Sequence, residues 1–211
     1  MKLNVEKTQY ILFNFSTNYQ FNTRLNLNGS KIDQVHRTKL LGLVLRDDLK
    51  WKSNTDKLTR RAYSRMSILR NLYKFDVPVE DLLEIYVLYI RSVVEQSAIV
   101  WHSSITKGEQ RDLERIQKVA LKIILKEAYV TYADSLKLTG LETLSERRTK
   151  LCLSFARKCT KSDKTSYMFP ENKAVVKTRH REKFHVAAAK TDRFAKSAIP
   201  YMQRLFNANS K

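Results

Sequence analysis

The chain of 211 residues is long enough to bury a hydrophobic core without help from disulfide bonds. Apolar residues make up 43% of it and charged residues 29%, a balance that excludes an intrinsically disordered protein. The 40 lysines and arginines exceed the 21 acidic residues and give a net charge of +19. A charge excess of this size indicates an anionic partner, and a phosphate backbone is the simplest one.

The cysteine count and the first residues of the chain indicate an intracellular protein. Two cysteines are too few for a disulfide framework. Glu6 and Lys7 stand where a signal peptide would carry its apolar run. No stretch reaches the length of a membrane span. We therefore expect a nuclear or cytoplasmic protein without a membrane partner.

Strand patterns dominate the first fifty residues. Residues 10–16 read as one strand, and residues 39–45 read as another that is apolar enough to be covered on both faces. Between them, the pair Asn28 and Gly29 is a strong signal for a hairpin turn. These patterns predict a small antiparallel sheet over residues 1–51.

Helical periodicity replaces the strand pattern after Trp51. Ser53 or Asn54 is expected to cap a first helix that runs to about residue 74. Its apolar residues recur at spacings of four, four, three and four, which makes one stripe. They are Leu58, Ala62, Met66, Leu69 and Tyr73. A second helix begins at Pro78 and is apolar on nearly every side, so we expect it to be the central buried helix.

Three more helices are predicted before residue 162. One covers residues 108–125, a short one covers 131–138 and ends before Gly140, and another runs from about 143 to 161 with Ser145 as its cap. The inward residues of the first are Leu113, Ile116, Ala120 and either Ile123 or Ile124.

The predicted fold class is α+β, with a small N-terminal antiparallel sheet followed by a helical bundle. We expect three parts: residues 1–51 as the sheet, 52–161 as the bundle, and 162–211 as a basic loop with a C-terminal helix. The residues that anchor this last helix are Met202, Leu205 and Phe206. The residues expected to be buried in the bundle are Trp51, Leu69, Tyr89 and Ile116.

Asp47 and Asp48 end a strand-like run, and adjacent carboxylates at such a place can hold Mg²⁺. Two-metal phosphoryl transfer, however, needs carboxylates from separate segments around ions about 4 Å apart. Successive residues of one strand point to opposite faces, and Glu6 and Asp33 supply no second acidic strand. We interpret the aspartate pair as a turn that leads into the first helix.

Cys152, Cys159, His180 and His185 form the other set of possible metal ligands. The cysteines are seven residues apart on one predicted helix, or about 10.5 Å along its axis. Zinc lies about 2.3 Å from each sulfur, so one ion cannot bridge them. We expect no metal site, no catalytic residue and no resident cofactor, and we interpret the thiols as core or surface residues.

Basic residues carry the strongest chemical signal. Residues 145–196 hold fifteen lysines and arginines against five acidic residues. Lys57, Arg61 and Arg65 recur every four residues along one edge of the first helix, although ordinary surface helices carry such rows too. Neither set reads bases, so binding should be sequence-tolerant and salt-sensitive. The candidate nucleic-acid-binding residues are Lys57, Arg60, Arg61, Arg65, Arg147, Arg148, Arg179, Arg181 and Lys183.

Several stretches resemble, in the same order, the reverse transcriptases of non-LTR retrotransposons, especially the jockey-like group. "KLNVEKTQYILF" is similar to the segment after the catalytic aspartate hairpin, and "KLLGLVLRDDLKW" to the primer-grip strand and its turn. The later similarities are "QSAIVW" at 96–101, "LERIQKVALKIIL" at 113–125, "LETLSERRTKL" at 141–151 and "TDRFAKSAIPYMQRLFN" at 191–207.

The resemblance implies that residues 1–51 are the end of a polymerase palm and that the helices from residue 52 form the thumb and the region beyond it. It places Lys7 near the incoming triphosphate and Leu41 and Gly42 in the strand that supports the primer end. The implied partners are an RNA/DNA duplex or hybrid and the rest of the polymerase.

In that family the catalytic aspartates, which bind Mg²⁺ in the parent polymerase, precede "KLNVEKT". We therefore expect this chain to be a polymerase fragment that is inactive by itself. Two alternatives remain: a stand-alone, sequence-tolerant nucleic-acid-binding module, and a basic helical domain that binds an acidic protein.

Overall fold

Short strand pairs come first along the chain and helices follow, so the predicted α+β class is confirmed. The computed structural model describes residues 4–16, 24–172 and 183–209. The chain divides into two compact units, Met1–Lys57 and Leu58–Lys211. The boundary falls inside the first long helix, and residues 162–211 belong to the second unit.

The described part of the first unit contains three separate two-stranded ladders. Their strands are β1 (Gln9–Tyr10), β2 (Asn26–Leu27), β3 (Ser30–Lys31), β4 (Asp33–Gln34), β5 (Arg37–Leu40) and β6 (Leu43–Arg46). β2 and β3 form the antiparallel hairpin predicted at Asn28 and Gly29, and β5 pairs with β6 in a second one. β1 and β4 pair in parallel, so a single antiparallel sheet was the wrong prediction.

The segment predicted as one strand at 39–45 is instead the β5–β6 hairpin. Leu41 and Gly42 have φ angles of 48° and 86°, and positive φ at both central residues is the geometry of a tight hairpin turn. Leu41 is 91% exposed at the turn, and Leu43 is the buried leucine of β6. The prediction failed because the apolar run concealed a leucine-glycine turn. In residues 10–16, only Tyr10 lies in a strand.

Nine α-helical segments lie among the described residues. They are α1 (Lys52–Tyr73), α2 (Val79–Ile85), α3 (Ser92–Glu95), α4 (Ala98–Trp101), α5 (Lys107–Leu125), α6 (Tyr132–Thr139), α7 (Leu144–Cys159), α8 (Asp192–Ala195) and α9 (Ala198–Ala208). A π-helical turn, Tyr86–Arg91, joins α2 to α3. Short 3₁₀ turns are Val5–Lys7, His102–Ser104, Lys126–Ala128 and Ser166–Met168.

The apolar stripe of α1 is buried as predicted at its first four positions, Leu58 to Leu69, and Tyr73 is partly exposed. Its predicted caps are wrong, because the helix begins at Lys52, before both of them. Asn54 is completely buried, and its Oδ1 accepts a hydrogen bond from the Val44 backbone N–H at 3.2 Å.

The second predicted helix corresponds to α2, the π-helical turn and α3, and it is not buried on all sides. Tyr86 and Ile90 are completely buried, whereas Leu88 is 65% and Tyr89 42% exposed. The predicted burial of Tyr89 is therefore wrong. A run that is apolar at almost every position does not reveal which face points inward, and the π-helical turn shifts the phase of that face.

The other predicted core positions are confirmed: Trp51 is buried in the first unit, and Leu69 and Ile116 in the second. The buried face of α5 also contains Leu113, Ala120 and Ile124. Gly140, with a φ of 65°, ends α6.

α7 begins one residue earlier than its predicted cap. Thr143 and Glu146 form a reciprocal capping box, in which each side chain binds the backbone N–H of the other residue. Ser145 was the wrong prediction, and its Oγ instead accepts a hydrogen bond from Gln110 Nε2 at 2.5 Å.

α9 closes the second unit against α7. Met202 is buried in a cluster with Cys152 and Cys159, and Leu205 and Phe206 pack beside it. Both cysteines are free, buried thiols, which agrees with their interpretation as core residues.

Candidate nucleic-acid interface

α5 carries a row of exposed cations on the side opposite its buried face. We call this row the α5 basic stripe; its members are Lys107, Arg111, Arg115, Lys118, Lys122 and, just past the last residue of the helix, Lys126. The capping box of Thr106 and Glu109 fixes the start of the helix, and the buried leucines and isoleucines fix its rotation. The amphipathic pattern of the helix therefore sets the direction in which the stripe faces.

The stripe is continuous because its members follow one another at spacings of four, four, three, four and four residues. At 100° per residue these positions stay within an arc of roughly 100°, and they extend over roughly 28 Å. Within the described parts of the chain, none of the six makes an ion pair with a carboxylate. Their positive charge is therefore not neutralised by an ion pair in those parts of the chain.

Tyrosine rings lie beside the second half of the stripe. Lys118 Nζ is 5.0 Å from the ring centroid of Tyr132, and Lys122 Nζ is 5.3 Å from that of Tyr129. The Tyr132 hydroxyl donates a hydrogen bond to Glu114 and accepts one from Gln117 Nε2. Burial, then the bond to Glu114, raises the pKa of Tyr132 well above its usual range, so this ring stays neutral beside the lysine.

The C-terminal end of the stripe adjoins α1. Lys126 Nζ lies 3.6 Å from the ring centroid of Tyr73. Arg70, Lys122 and Lys126 line a shallow cavity of about 260 Å³ together with Tyr73 and Ile123. Three cations around one depression suit an oxygen-rich anion such as a backbone phosphate.

The sequence-predicted row on α1 has a different environment. Arg61 Nη1 donates to Gln96 Oε1 at 3.1 Å, and the Arg65 guanidinium lies 4.1 Å from the ring centroid of Tyr89. Lys57 Nζ donates to the Gly42 carbonyl at 2.5 Å within the first unit. Arg60 is exposed on the same helix. The row on α1 is thus already in contact with other groups of this chain at Lys57, Arg61 and Arg65.

Arg147 and Arg148 occupy opposite kinds of environment although they are neighbours. Arg147 is partly exposed, and its Nε lies 3.1 Å from Glu95 Oε1. Arg148 is completely buried beside Trp101, and its Nε donates to His102 Nδ1 at 3.3 Å. A phosphate cannot reach a completely buried guanidinium, so assigning Arg148 to the binding surface is corrected.

The basic loop is described only at its end. Arg179 and Arg181 lie outside the described residues, as does His180. Lys183 is exposed, with its Nζ 5.5 Å from the ring centroids of both Phe184 and Phe206.

The residues that the resemblance singled out all lie in the first unit. Lys7 is exposed in the 3₁₀ turn Val5–Lys7, and Leu41 and Gly42 form the β5–β6 turn.

The aspartates after β6 form a turn, as predicted. Asp47 Oδ2 lies 2.7 Å from His36 Nδ1, a contact that holds the pKa of Asp47 below its usual range. Asp48 accepts hydrogen bonds from the Arg46 guanidinium at 3.2 Å and from the Lys50 backbone N–H at 3.0 Å.

Metal sites and membrane spans are the other kinds of feature that bear on function. Among residues 4–16, 24–172 and 183–209, no three histidine, cysteine or acidic side chains are grouped as a metal site would require. In the same parts of the chain, no helix combines the length and apolar character of a membrane span.

Comparison with known proteins gives no relative: no protein-family model matches the chain, and neither do curated proteins or solved structures. The similarity to non-LTR reverse transcriptases therefore stays a prediction from the sequence.

Sequence reasoning missed the α5 basic stripe, although its signal is present in the printed sequence. The spacing of Arg111, Arg115, Lys118 and Lys122 is helical and complements the spacing of the apolar residues between them. The prediction instead followed segments in which basic residues stand closer together along the chain, such as residues 145–196.

Proposed function

We propose that this chain derives from a retroelement RNA-directed DNA polymerase, carries a duplex-binding surface and acts in the nucleus or cytoplasm. The observation that carries the binding proposal is the α5 basic stripe, six exposed cations in one row without carboxylate partners among the described residues. The polymerase origin rests on the ordered sequence similarities.

The chemistry of the stripe suits phosphates rather than bases. Lysine and arginine side chains on one helix face meet a phosphate backbone as a line of charges. Contacts of this kind do not depend on base identity, and they release condensed counterions when they form. Binding should therefore be similar on unrelated sequences, on DNA duplexes and on RNA–DNA hybrids, and it should weaken steeply with salt.

The test is a fluorescence anisotropy titration with two unrelated DNA duplexes and one RNA–DNA hybrid, from about 50 to about 200 mM salt. We expect affinities within a few-fold of one another and a linear fall of log affinity with log salt. Polyglutamate of matched charge is the control for an acidic protein partner. Binding to polyglutamate as tight as to the duplexes would favour the protein-interaction alternative, and absence of duplex binding at low salt would reject the proposal.

A further inference from the structure

The α1–α2 face carries an exposed apolar groove. Ile68 on α1 and Ile85, Leu88 and Tyr89 on the opposite helix line a depression of about 400 Å³. Leu88 is 65% and Tyr89 42% exposed. Apolar side chains grouped in this way on a highly charged chain mark an interaction surface.

The two most exposed apolar side chains of the groove lie in the π-helical turn. Leu88 and Tyr89 lie inside this turn, Tyr86–Arg91, while Tyr86 and Ile90 remain completely buried. π-helical insertions are rare and occur frequently at functional sites. The turn therefore displays two large apolar side chains to solvent while Tyr86 and Ile90 stay in the core.

Opposite charges stand at the two ends of the groove. At one end, Arg65 lies over the Tyr89 ring, and Arg61 follows one turn earlier on α1. At the other end, Asp81 and Glu84 line the groove and are exposed. Neither acid makes an ion pair with another described residue.

The order of these groups follows from the antiparallel course of the two helices. Arg61 contacts Gln96, Arg65 contacts Tyr89, and Ile68 shares the groove with Ile85. The face therefore runs from positive through apolar to negative. Tyr89 and Asp81 are eight residues apart, or roughly 12 Å at 1.5 Å per residue, so the charged ends are well separated.

We propose that this face is the interface of a homodimer with two-fold symmetry. In such an interface the same surface of both copies takes part, so every contact between two different residues occurs twice. The two-fold axis would lie in the plane of the interface and cross the centre of the groove at right angles to its length. Rotation about this axis places the arginine end of each copy over the acidic end of the other, with Leu88 near the axis. A basic or an acidic peptide would complement only one end, which is why the charge order favours a second copy of this chain.

The interface does not depend on nucleic-acid binding. It uses α1 and α2, whereas the proposed phosphate contacts lie on α5, so the two can be tested separately in the same protein.

The first experiment is sedimentation velocity of the whole chain without nucleic acid, over a range of micromolar concentrations. We expect a monomer–dimer equilibrium in the wild type. Leu88→Glu should raise the dimer dissociation constant on the order of a hundredfold, because two like charges would meet near the axis. The matched control is Leu138→Glu on α6, since Leu138 is 66% exposed, and it should leave the constant unchanged.

The second experiment tests the charge order. Arg61→Glu and Asp81→Arg should each weaken the dimer, and an equimolar mixture of the two variants should restore it. A wild type that is monomeric throughout would overturn the proposal. So would equal effects of the Leu88 and Leu138 substitutions, or a mixture that associates no better than either variant alone. Far-UV circular dichroism of each variant confirms that loss of association is not loss of folding.

Discussion

Lys126 Nζ lies 3.6 Å from the centre of the Tyr73 ring, and this contact joins the end of α5 to the last turn of α1. A cation over an aromatic face contributes about 0.5–2 kcal/mol, depending on exposure. Lys126 has a positive φ of 52°, a conformation that is unfavourable for residues other than glycine. The contact thus helps to hold the end of the α5 basic stripe beside Arg70, where the cationic depression lies.

Tyr86 and Tyr89 should differ strongly in their contribution to stability. Tyr86 is completely buried, and its hydroxyl donates to Gln117 Oε1 at 2.7 Å. Tyr86→Ala should reduce the free energy of unfolding by about 3–5 kcal/mol, and Tyr86→Phe by about 1–3 kcal/mol because a buried acceptor loses its donor. Tyr89→Ala, which removes an exposed ring and its arginine contact, should cost about 1 kcal/mol. Urea denaturation measures all three, and equal losses at the two tyrosines would contradict the assigned burial.

Stability should depend on His102 in acid. Burial, and then the nearby Arg148, lowers the pKa of His102 to about 4. The unfolded chain takes up the proton at a pKa of about 6.5, so the contribution of this residue is complete above that pH. It is lost as the pH falls from about 6.5 towards 4, at up to about 1.4 kcal/mol per pH unit.

The comparison for this prediction is His102→Gln, which cannot titrate. Its free energy of unfolding should fall less steeply than that of the wild type between pH 6.5 and pH 4.5. Parallel curves for wild type and His102→Gln would show that His102 does not resist protonation in the folded chain.

Arg148 should be replaceable by an apolar residue. Its Nη1 and Nη2 atoms are buried and have no hydrogen-bond partner among the described residues. An apolar side chain of similar length avoids this desolvation, so Arg148→Met should leave the free energy of unfolding unchanged or raise it by about 1–4 kcal/mol. Chemical denaturation gives the value. A loss of about 3–5 kcal/mol would show instead that the charge compensates a buried carboxylate such as Glu114.

The sequence predicted the fold best where its apolar residues were periodic. The stripe of α1 and the inward face of α5 were correct because polar residues separate their apolar positions and define one side. Tyr89 was misplaced because its helix is apolar nearly all round. The β5–β6 hairpin was missed because Leu41 is an unusual residue for a turn with positive φ.

The candidate site was predicted less well, for a reason that Arg147 and Arg148 illustrate. Adjacent residues of a helix are about 100° apart, so one faces solvent while the next faces the core. The local density of charge in the sequence cannot tell the solvent-facing arginine from the buried one, but the helical periodicity of the apolar residues can. The same periodicity locates the α5 basic stripe. The spacing of a capping box also identifies the cap of α7: Thr143 is followed three residues later by Glu146, so Thr143 and not Ser145 is the cap.

The central claim is that α5 provides the phosphate contacts, and the salt slope of two matched triple variants tests it most directly. One variant carries Arg115→Ala, Lys118→Ala and Lys122→Ala, and the other Lys57→Ala, Arg61→Ala and Arg65→Ala. Each removes three positive charges, and alanine maintains the helix. The titrations use one B-form duplex, at protein concentrations below those at which the chain self-associates.

Each lost phosphate contact flattens the slope of log affinity against log salt by about 0.9. We expect the α5 variant to lose roughly 2–3 units of slope, if all three residues touch phosphate. The α1 variant should lose clearly less, because each of its three side chains donates a hydrogen bond to another group of this chain. An unchanged slope in the α5 variant, with a flattened slope in the α1 variant, would contradict the claim and move the interface to α1.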